Sequence, residues 1–163
     1  MRTVVGFLVI GLGISLAGGQ RPVLAQSPGE DAVKKELAKF QGTWRVTEVE
    51  ENGEEAPADF LRAAKGTVTV KENKHTLKWG DKSEGTVTIT IDPTTEPKRY
   101  DMTIAEGPQK GQVLQGIYKL EGDTWKYCQD KTGKGRPTEF SGKAGSGWVL
   151  VIMKKAKLES DKQ

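Results

Sequence analysis

Few residues of this chain have the chemistry of a catalytic or metal site, and those few are isolated. His75 is the only histidine and Cys128 the only cysteine among 163 residues. A zinc site usually needs several His or Cys ligands, and any nucleophile–histidine arrangement would have to use His75. The acidic pairs Glu50-Glu51 and Glu54-Glu55 consist of adjacent residues, whose side chains point apart in a strand. We therefore predict no catalytic site, no metal site and no cofactor.

His75 and Cys128 both have an ordinary structural interpretation. His75 lies in a strand-like run with Leu77 and Trp79, where we expect a half-exposed side chain. Cys128 ends an alternating run, and we expect it to pack as a small hydrophobic residue. The alternative, a reactive thiol or an intermolecular bridge, is disfavoured because no cationic residue or histidine adjoins it in sequence.

The first 25 residues have the three parts of a secretory signal peptide. Met1-Arg2 gives a positive start, 4–17 is apolar apart from glycines and a serine, and Val23-Leu24-Ala25 ends on a small residue. The apolar run is shorter than the roughly 20 residues of a membrane span. Cleavage before Gln26 is therefore favoured over an uncleaved anchor. We predict an exported protein, periplasmic or extracellular, with no stable membrane span after cleavage.

The charge of the exported chain is close to balanced. Loss of Arg2 and Arg21 with the signal peptide lowers the formal net charge from +3 to +1. Nucleic-acid binding needs a clustered cationic face, whereas basic and acidic residues are interspersed here. The one basic cluster, Lys154–Lys157, is diluted by later acidic residues and is interpreted as the start of a solvated tail. We expect no nucleic-acid partner, and the oligomeric state is left open.

Two short helices are predicted. Between Glu30 and Phe40, apolar residues recur at three- and four-residue spacing with Lys and Glu between them. The run Pro57–Ala64 begins with proline, which favours a helix start. The domain organisation is a signal peptide at 1–25, a linker and short helix at 26–41, a β domain at 42–155 and a polar tail at 156–163.

Short alternating runs separated by turn residues such as Asn52-Gly53 fill the chain from Gly42 to Met153. Val87, Ile89 and Ile91 alternate with threonines, which is typical of antiparallel strands with one buried face. We predict strands beginning near Trp44 and covering 67–71, 75–79, 86–91, 99–104, 113–120, 124–128 and 148–153, with a weaker run around Phe140.

The predicted fold is therefore all-β, an antiparallel meander that closes into a barrel. About eight strands are enough to close, and closure removes the exposed sheet edges that a sandwich keeps. The last strand, apolar on both faces, is expected to pair with the first and to be covered by the N-terminal helix. A barrel of this size has an interior that is either packed or holds one small ligand.

Several motifs resemble a known family. Gly42-Thr43-Trp44 after a short helix is similar to the opening of lipocalin-type barrels. Together with the string 116–125, Cys128, 136–140 and 106–111, it closely resembles a family of small exported domains abundant in planctomycete bacteria. That family is of unknown function and lipocalin-like. The resemblance implies a lipocalin-like barrel in which Trp44 closes one end, and a late basic residue, Arg136 or Lys154, packs across it.

The leading hypothesis is an exported lipocalin-like domain that binds a small apolar or amphipathic molecule. The alternative is a structural or protein-interaction module of the cell envelope without a ligand cavity, and an enzyme is disfavoured. Side chains that share a strand face with other apolar residues are the candidate ligand-binding set: Leu77, Trp79, Val87, Ile89, Tyr100, Met102, Tyr118, Trp125 and Tyr127. The competing interpretation is that these side chains fill the core.

Overall fold

Residues 28–157 are described by a computed structural model, in which the strands form one closed antiparallel barrel. The signal peptide predicted at 1–25 and the end of the predicted tail, 158–163, lie outside the described residues. The predicted fold class is confirmed: eight strands in a meander close on themselves, with one extra short strand and a helix ahead of the barrel.

The elements follow one another with short connections, apart from the segment between the last two strands. No helix in the described part of the chain has the length and apolarity to cross a membrane. In chain order the elements are α1 (Pro28–Phe40), β1 (Gly42–Glu51), β2 (Glu54–Glu55), α2 (Ala58–Ala64), β3 (Thr67–Lys71), β4 (Lys74–Trp79), β5 (Lys82–Asp92), β6 (Lys98–Ile104), β7 (Val113–Glu121), β8 (Thr124–Asp130) and β9 (Trp148–Lys155).

Closure of the barrel is made by the first and last strands, as predicted. β1 pairs with β3, each later strand pairs with the next, and β9 returns to β1 in a register from Trp44–Lys155 to Glu51–Val149. The short β2 pairs only with the end of β1. Because every barrel strand has two neighbours, the backbone groups of the apolar last strand are paired on both sides.

Inward-facing residues alternate along each strand and form the core. The barrel has a helix end, where α1 joins β1, and a loop end, where the 105–112 and 131–147 connections lie. The largest fully buried side chains of the interior are Phe40, Trp44, Tyr100, Tyr118, Trp125 and Met153. Most of these aromatic rings are in mutual contact near the helix end, so that end of the interior is filled.

Trp44 and the last residue of α1 close the helix end together. The indole N–H of Trp44 donates to the carbonyl of Phe40 at 2.7 Å. The ring of Phe40 meets that of Trp125 edge to face, with centroids 4.9 Å apart. Pairing of the indole with a helix-terminal carbonyl satisfies two groups that would otherwise be buried without partners.

The basic residue over Trp44 is Lys155, and the expectation of Arg136 or Lys154 is wrong. The Lys155 ammonium lies 5.2 Å from the Trp44 ring centroid. Lys154 instead donates to Thr124, and Arg136 forms an ion pair with Asp101. Lys155 is the direct cross-strand partner of Trp44, and direct partners share a face of the sheet.

A small second core lies on the outer face of the barrel. Ile117, Cys128 and Leu150 are buried there against Phe140 and Trp148. The strand run expected around Phe140 is wrong: this residue belongs to the 131–147 connection, where several glycines and Pro137 interrupt any ladder. Cys128 packs as predicted, and burial, as the main cause, raises the pKa of its thiol to about 11.

Candidate functional site

A cavity of about 420 Å³ lies inside the barrel at the loop end. Its volume falls in the roughly 300–1,000 Å³ range of small-molecule sites. The walls come from the inner faces of β3–β8, and the 105–112 loop lies at its mouth. Apolar and aromatic side chains form most of the wall: Val68, Leu77, Val87, Tyr100, Met102, Ile104, Leu114, Trp125 and Tyr127, with His75 and Gln129 among them.

The space at the loop end is left open partly by the backbone of β4 and β5. Their register shifts between Leu77 and Lys78, and Gly85 is the partner of Leu77. Gly85 has a φ of +133°, which favours glycine, and a Cβ built there would meet no atom within 4 Å. A position without a side chain therefore lies opposite Leu77 in the cavity wall.

Six of the nine candidate ligand-binding residues line this cavity. They come from four different strands, so the closed barrel is what brings them together. They are Leu77, Val87, Tyr100, Met102, Trp125 and Tyr127. Their role in binding a ligand stays a prediction.

Trp79, Ile89 and Tyr118 lie elsewhere. Trp79 ends β4 beyond the cavity lining, where its ring packs over Gly66 beside α2. Ile89 is buried in the core below the cavity lining. Tyr118 is buried at the helix end, where its hydroxyl donates to Glu36 of α1 at 3.3 Å.

His75 is a cavity residue that the sequence argument did not place there. Only 3% of it is exposed, so the expectation of a half-exposed histidine is wrong. The reason is period two: His75 and Leu77 share the inner face of β4, as the pairing of His75 with Val70 and Val87 shows. Gln129 and Leu114 were also missed, although both alternate with outward residues on their strands.

Three buried polar atoms at the cavity residues have no partner. The Tyr100 hydroxyl and His75 Nδ1 form a hydrogen bond at 2.8 Å. Among residues 28–157, nothing is within hydrogen-bonding reach of His75 Nε2, Trp125 Nε1 or Gln129 Oε1. All three residues line the same cavity. Trp125 is 0% exposed and all three atoms are sealed from solvent, so they lie within the barrel wall and not on the open surface of the cavity.

The ionisable side chains inside the cavity are neutral near pH 7. Burial lowers the pKa of His75 to about 3 and raises the pKa of Tyr127 to about 12. Burial, together with the neighbouring Tyr127, raises the pKa of Tyr100 well above its ordinary value. No lysine or arginine belongs to the described cavity lining, and Glu106, its one carboxylate, is an exposed residue of the loop at the mouth.

The neutral state of His75 predicts a pH dependence of stability. In the unfolded chain the histidine binds a proton below its ordinary pKa of 6.5, whereas the folded protein resists protonation down to about 3. The unfolded state therefore gains protons first, and stability falls as the pH falls through this window. Between pH 7 and pH 5 we expect wild type to lose about 2 kcal/mol more than His75→Phe.

This difference is measured by urea unfolding of both proteins at several pH values. The carboxylates titrate in the same way in the two proteins. The difference between their slopes of unfolding free energy against pH therefore reports on His75 alone. Parallel stability profiles would show that the histidine is hydrated and not enclosed in the barrel.

A second, wider groove runs along α1 on the outside of the barrel. It encloses about 770 Å³ beside the β3–β4 turn and the end of β5. Exposed side chains such as Glu30, Lys34 and Glu72 form much of its rim. These exposed side chains leave the groove open to solvent along the helix. The interior cavity is therefore the better candidate site.

The groups that line the cavity determine which contacts it can make with a small molecule. Within residues 28–157, no group of three or more His, Cys, Asp or Glu side chains could hold a metal ion. The cavity offers apolar walls, aromatic rings and a few neutral hydrogen-bonding atoms, the usual composition of a ligand pocket.

These features define the class as a closed eight-stranded antiparallel β-barrel with an interior cavity. Compared with known proteins, the chain matches no family model and no curated protein. The function is therefore inferred from the barrel and its cavity.

Proposed function

We propose that this protein is an exported binding protein that holds one small apolar or amphipathic molecule inside its barrel. The observation that supports this most directly is the cavity of about 420 Å³ at the loop end. Export is part of the proposal because of the signal-like residues 1–25, and membership of the planctomycete family because of the motifs around Trp44 and 116–125.

The interior has a filled half and an open half, which favours binding over simple core filling. At the helix end, Phe40, Trp44 and Trp125 are fully buried and in ring contact. Protein cores contain few voids larger than a water molecule. A barrel whose inner residues served only as a core would close around the space at the loop end, and the apolar wall there would gain contact by doing so.

The alternative is an interaction module that uses the outer surface of the loop end. Phe60 of α2 is 59% exposed and borders a groove of about 390 Å³ that also contacts Trp79. Single exposed apolar residues are common on proteins, so this observation supports the alternative only weakly.

A dye titration tests the proposal. N-phenylnaphthylamine is small, neutral and apolar, and its fluorescence rises in apolar surroundings. We expect saturable one-to-one binding to folded wild type. Leu114→Trp should weaken this binding by about tenfold or more, because the larger ring occupies the cavity and displaces apolar contact worth at least about 1.4 kcal/mol.

Val113→Trp is the matched control. Val113 is the neighbouring residue, 44% exposed, and its side chain points to the opposite face of β7. This variant should bind the dye as wild type does. Absence of saturable binding in folded wild type would overturn the proposal and leave the interaction module. Equal weakening by the two variants would place the dye on the surface.

A further inference from the structure

The lining of the interior cavity changes from apolar to polar between its floor and its mouth. Buried side chains such as Val68 and Met102 form the inner part. Ile104 and Leu114, nearer the loop end, are half-buried and apolar. At the mouth the lining consists of the exposed loop residues 106–109. Because burial of a polar group without a partner is costly, a molecule that fits this lining has its apolar end inside and its polar end at the mouth.

Glu106 is the one charged side chain of the described cavity lining. No lysine or arginine belongs to that lining, and Lys110, in the same loop, lies outside it. A carboxylate attracts a cationic group and repels an anionic one, and a cleft lined by one sign of charge concentrates ligands of the other sign. The mouth of the cavity therefore favours a cationic polar end over an anionic one.

The backbone of the loop places Glu106 at the mouth. The N–H of Gly111 donates to the carbonyl of Ile104 at 2.9 Å, and the N–H of Ile104 donates to the carbonyl of Gln112 at 2.9 Å. Gly107 has a φ of +82°, a left-handed conformation that favours glycine. These bonds and this turn bring the chain directly back from β6 to β7, so that the carboxylate lies beside the opening between these strands.

We infer that the ligand is a cationic amphiphile, with an apolar tail inside the barrel and an ammonium-type head at the mouth beside Glu106. This inference rests on the proposed function, since it specifies the ligand of the same cavity. The head stays near solvent and keeps most of its hydration. The tail therefore supplies most of the affinity, and the exposed carboxylate supplies the selectivity for charge.

Two detergents with the same tail and opposite heads test this inference. Decyltrimethylammonium and decane sulfonate, each below the concentration at which it forms micelles, compete with N-phenylnaphthylamine for wild type at low ionic strength. We expect the ammonium compound to displace the dye at a concentration roughly three- to tenfold lower than the sulfonate. At about 0.5 M salt the ratio should fall to less than about twofold, because the charges at the mouth are then screened.

Glu106→Gln removes the charge and keeps the size of the side chain. The ratio between the two detergents should then fall to within about twofold at low salt, while the neutral dye should bind as it does to wild type. Glu54→Gln is the matched control, since it makes the same change in net charge at an exposed position of the loop end. Glu54 borders the groove beside α2 and lies outside the cavity lining, so this variant should keep the wild-type ratio.

The outcomes separate this inference from the proposed function. If N-phenylnaphthylamine does not bind folded wild type, the proposed function fails, and this inference fails with it. If the dye binds but the sulfonate displaces it as well as the ammonium compound does, or neither displaces it, the inference is overturned while the proposed function stands. An equal loss of selectivity in Glu54→Gln and Glu106→Gln also overturns it, because the selectivity then comes from the net charge of the protein.

Discussion

Replacing Trp44 by alanine is expected to lower the free energy of unfolding by about 3–5 kcal/mol, the usual cost of truncating a buried tryptophan. Trp44 is fully buried, and its ring meets that of Trp125 edge to face, with centroids 5.6 Å apart. Truncation also removes the indole N–H that donates to the Phe40 carbonyl. Since a domain has only about 5–15 kcal/mol in total, little folded protein should remain at moderate temperature.

Two variants make this result interpretable. Trp44→Phe keeps most of the ring and removes the N–H, and should cost far less than the alanine variant. Trp148→Ala makes the same truncation at a half-buried position on the outer face, and should cost under about 2 kcal/mol. The measurement is urea unfolding followed by far-ultraviolet circular dichroism. An unchanged midpoint for Trp44→Ala would contradict its place between α1 and the barrel.

The barrel could be predicted from sequence because its signals are local. Period-two alternation identifies a strand with one buried face, and glycine-containing turns separate consecutive strands. Each strand pairs with its neighbour in the chain, so local connections determine the whole order except for β2 and the pairing of β1 with β9. A last strand that is apolar on both faces indicated that final pairing.

The alternation pattern does not determine the register in which two strands pair. A one-residue change of register exchanges the two faces of a strand. Parity also does not say how far along a strand the cavity extends: Trp79 has the parity of Leu77 but lies beyond the lining, beside Gly66 and α2. Likewise Lys155, and not Lys154, reaches Trp44, because the pairing of β1 with β9 sets Lys155 opposite Trp44. Such pairings depend on residues about 100 positions apart.

The cavity could not be predicted because its volume is the small difference between the space inside the barrel and the volume of the side chains that fill it. Inner side chains from β3–β8 contribute to it, and a small change in their packing would fill or enlarge it. His75 was misplaced for a different reason. It has the parity of Leu77, which was expected to face the interior, but histidine is a polar residue and was therefore expected to be half exposed. Its partner Tyr100 is 25 positions away in sequence.

At the helix end, a buried polar cluster connects α1 to the barrel. The alternating sequence pattern did not predict this cluster. Glu36 of α1 is buried, and Lys98 donates to it at 2.6 Å, with Lys39 as a second cationic partner. Burial by itself would raise the pKa of Glu36, but the hydrogen bonds and charges of the two lysines outweigh this and lower it. The carboxylate is therefore ionised and accepts from the Tyr118 hydroxyl beneath it.

This cluster makes Tyr118→Glu the most damaging single substitution that we predict. The change removes a ring that is 1% exposed and in contact with Phe40, and places a second carboxylate beside Glu36. Lys98 is the direct cross-strand neighbour of position 118, but it already neutralises Glu36 and cannot neutralise both. Leaving a buried charge without a partner costs about 3–5 kcal/mol, and the lost ring adds a similar amount. The variant should be unfolded at room temperature.

Tyr118→Phe is the matched control, because it retains the ring and removes only the hydroxyl; it should cost about 1 kcal/mol. Adding Glu36→Gln to Tyr118→Glu should recover part of the loss, since Lys98 is then free to pair with the new carboxylate. Circular dichroism and urea unfolding measure all three proteins. A folded Tyr118→Glu with an altered affinity for N-phenylnaphthylamine would mean that position 118 faces a ligand and not α1. An unfolded one, beside a stable Tyr118→Phe, would show that the Tyr118 ring belongs to the packed core at the helix end, where it contacts Phe40 and Glu36.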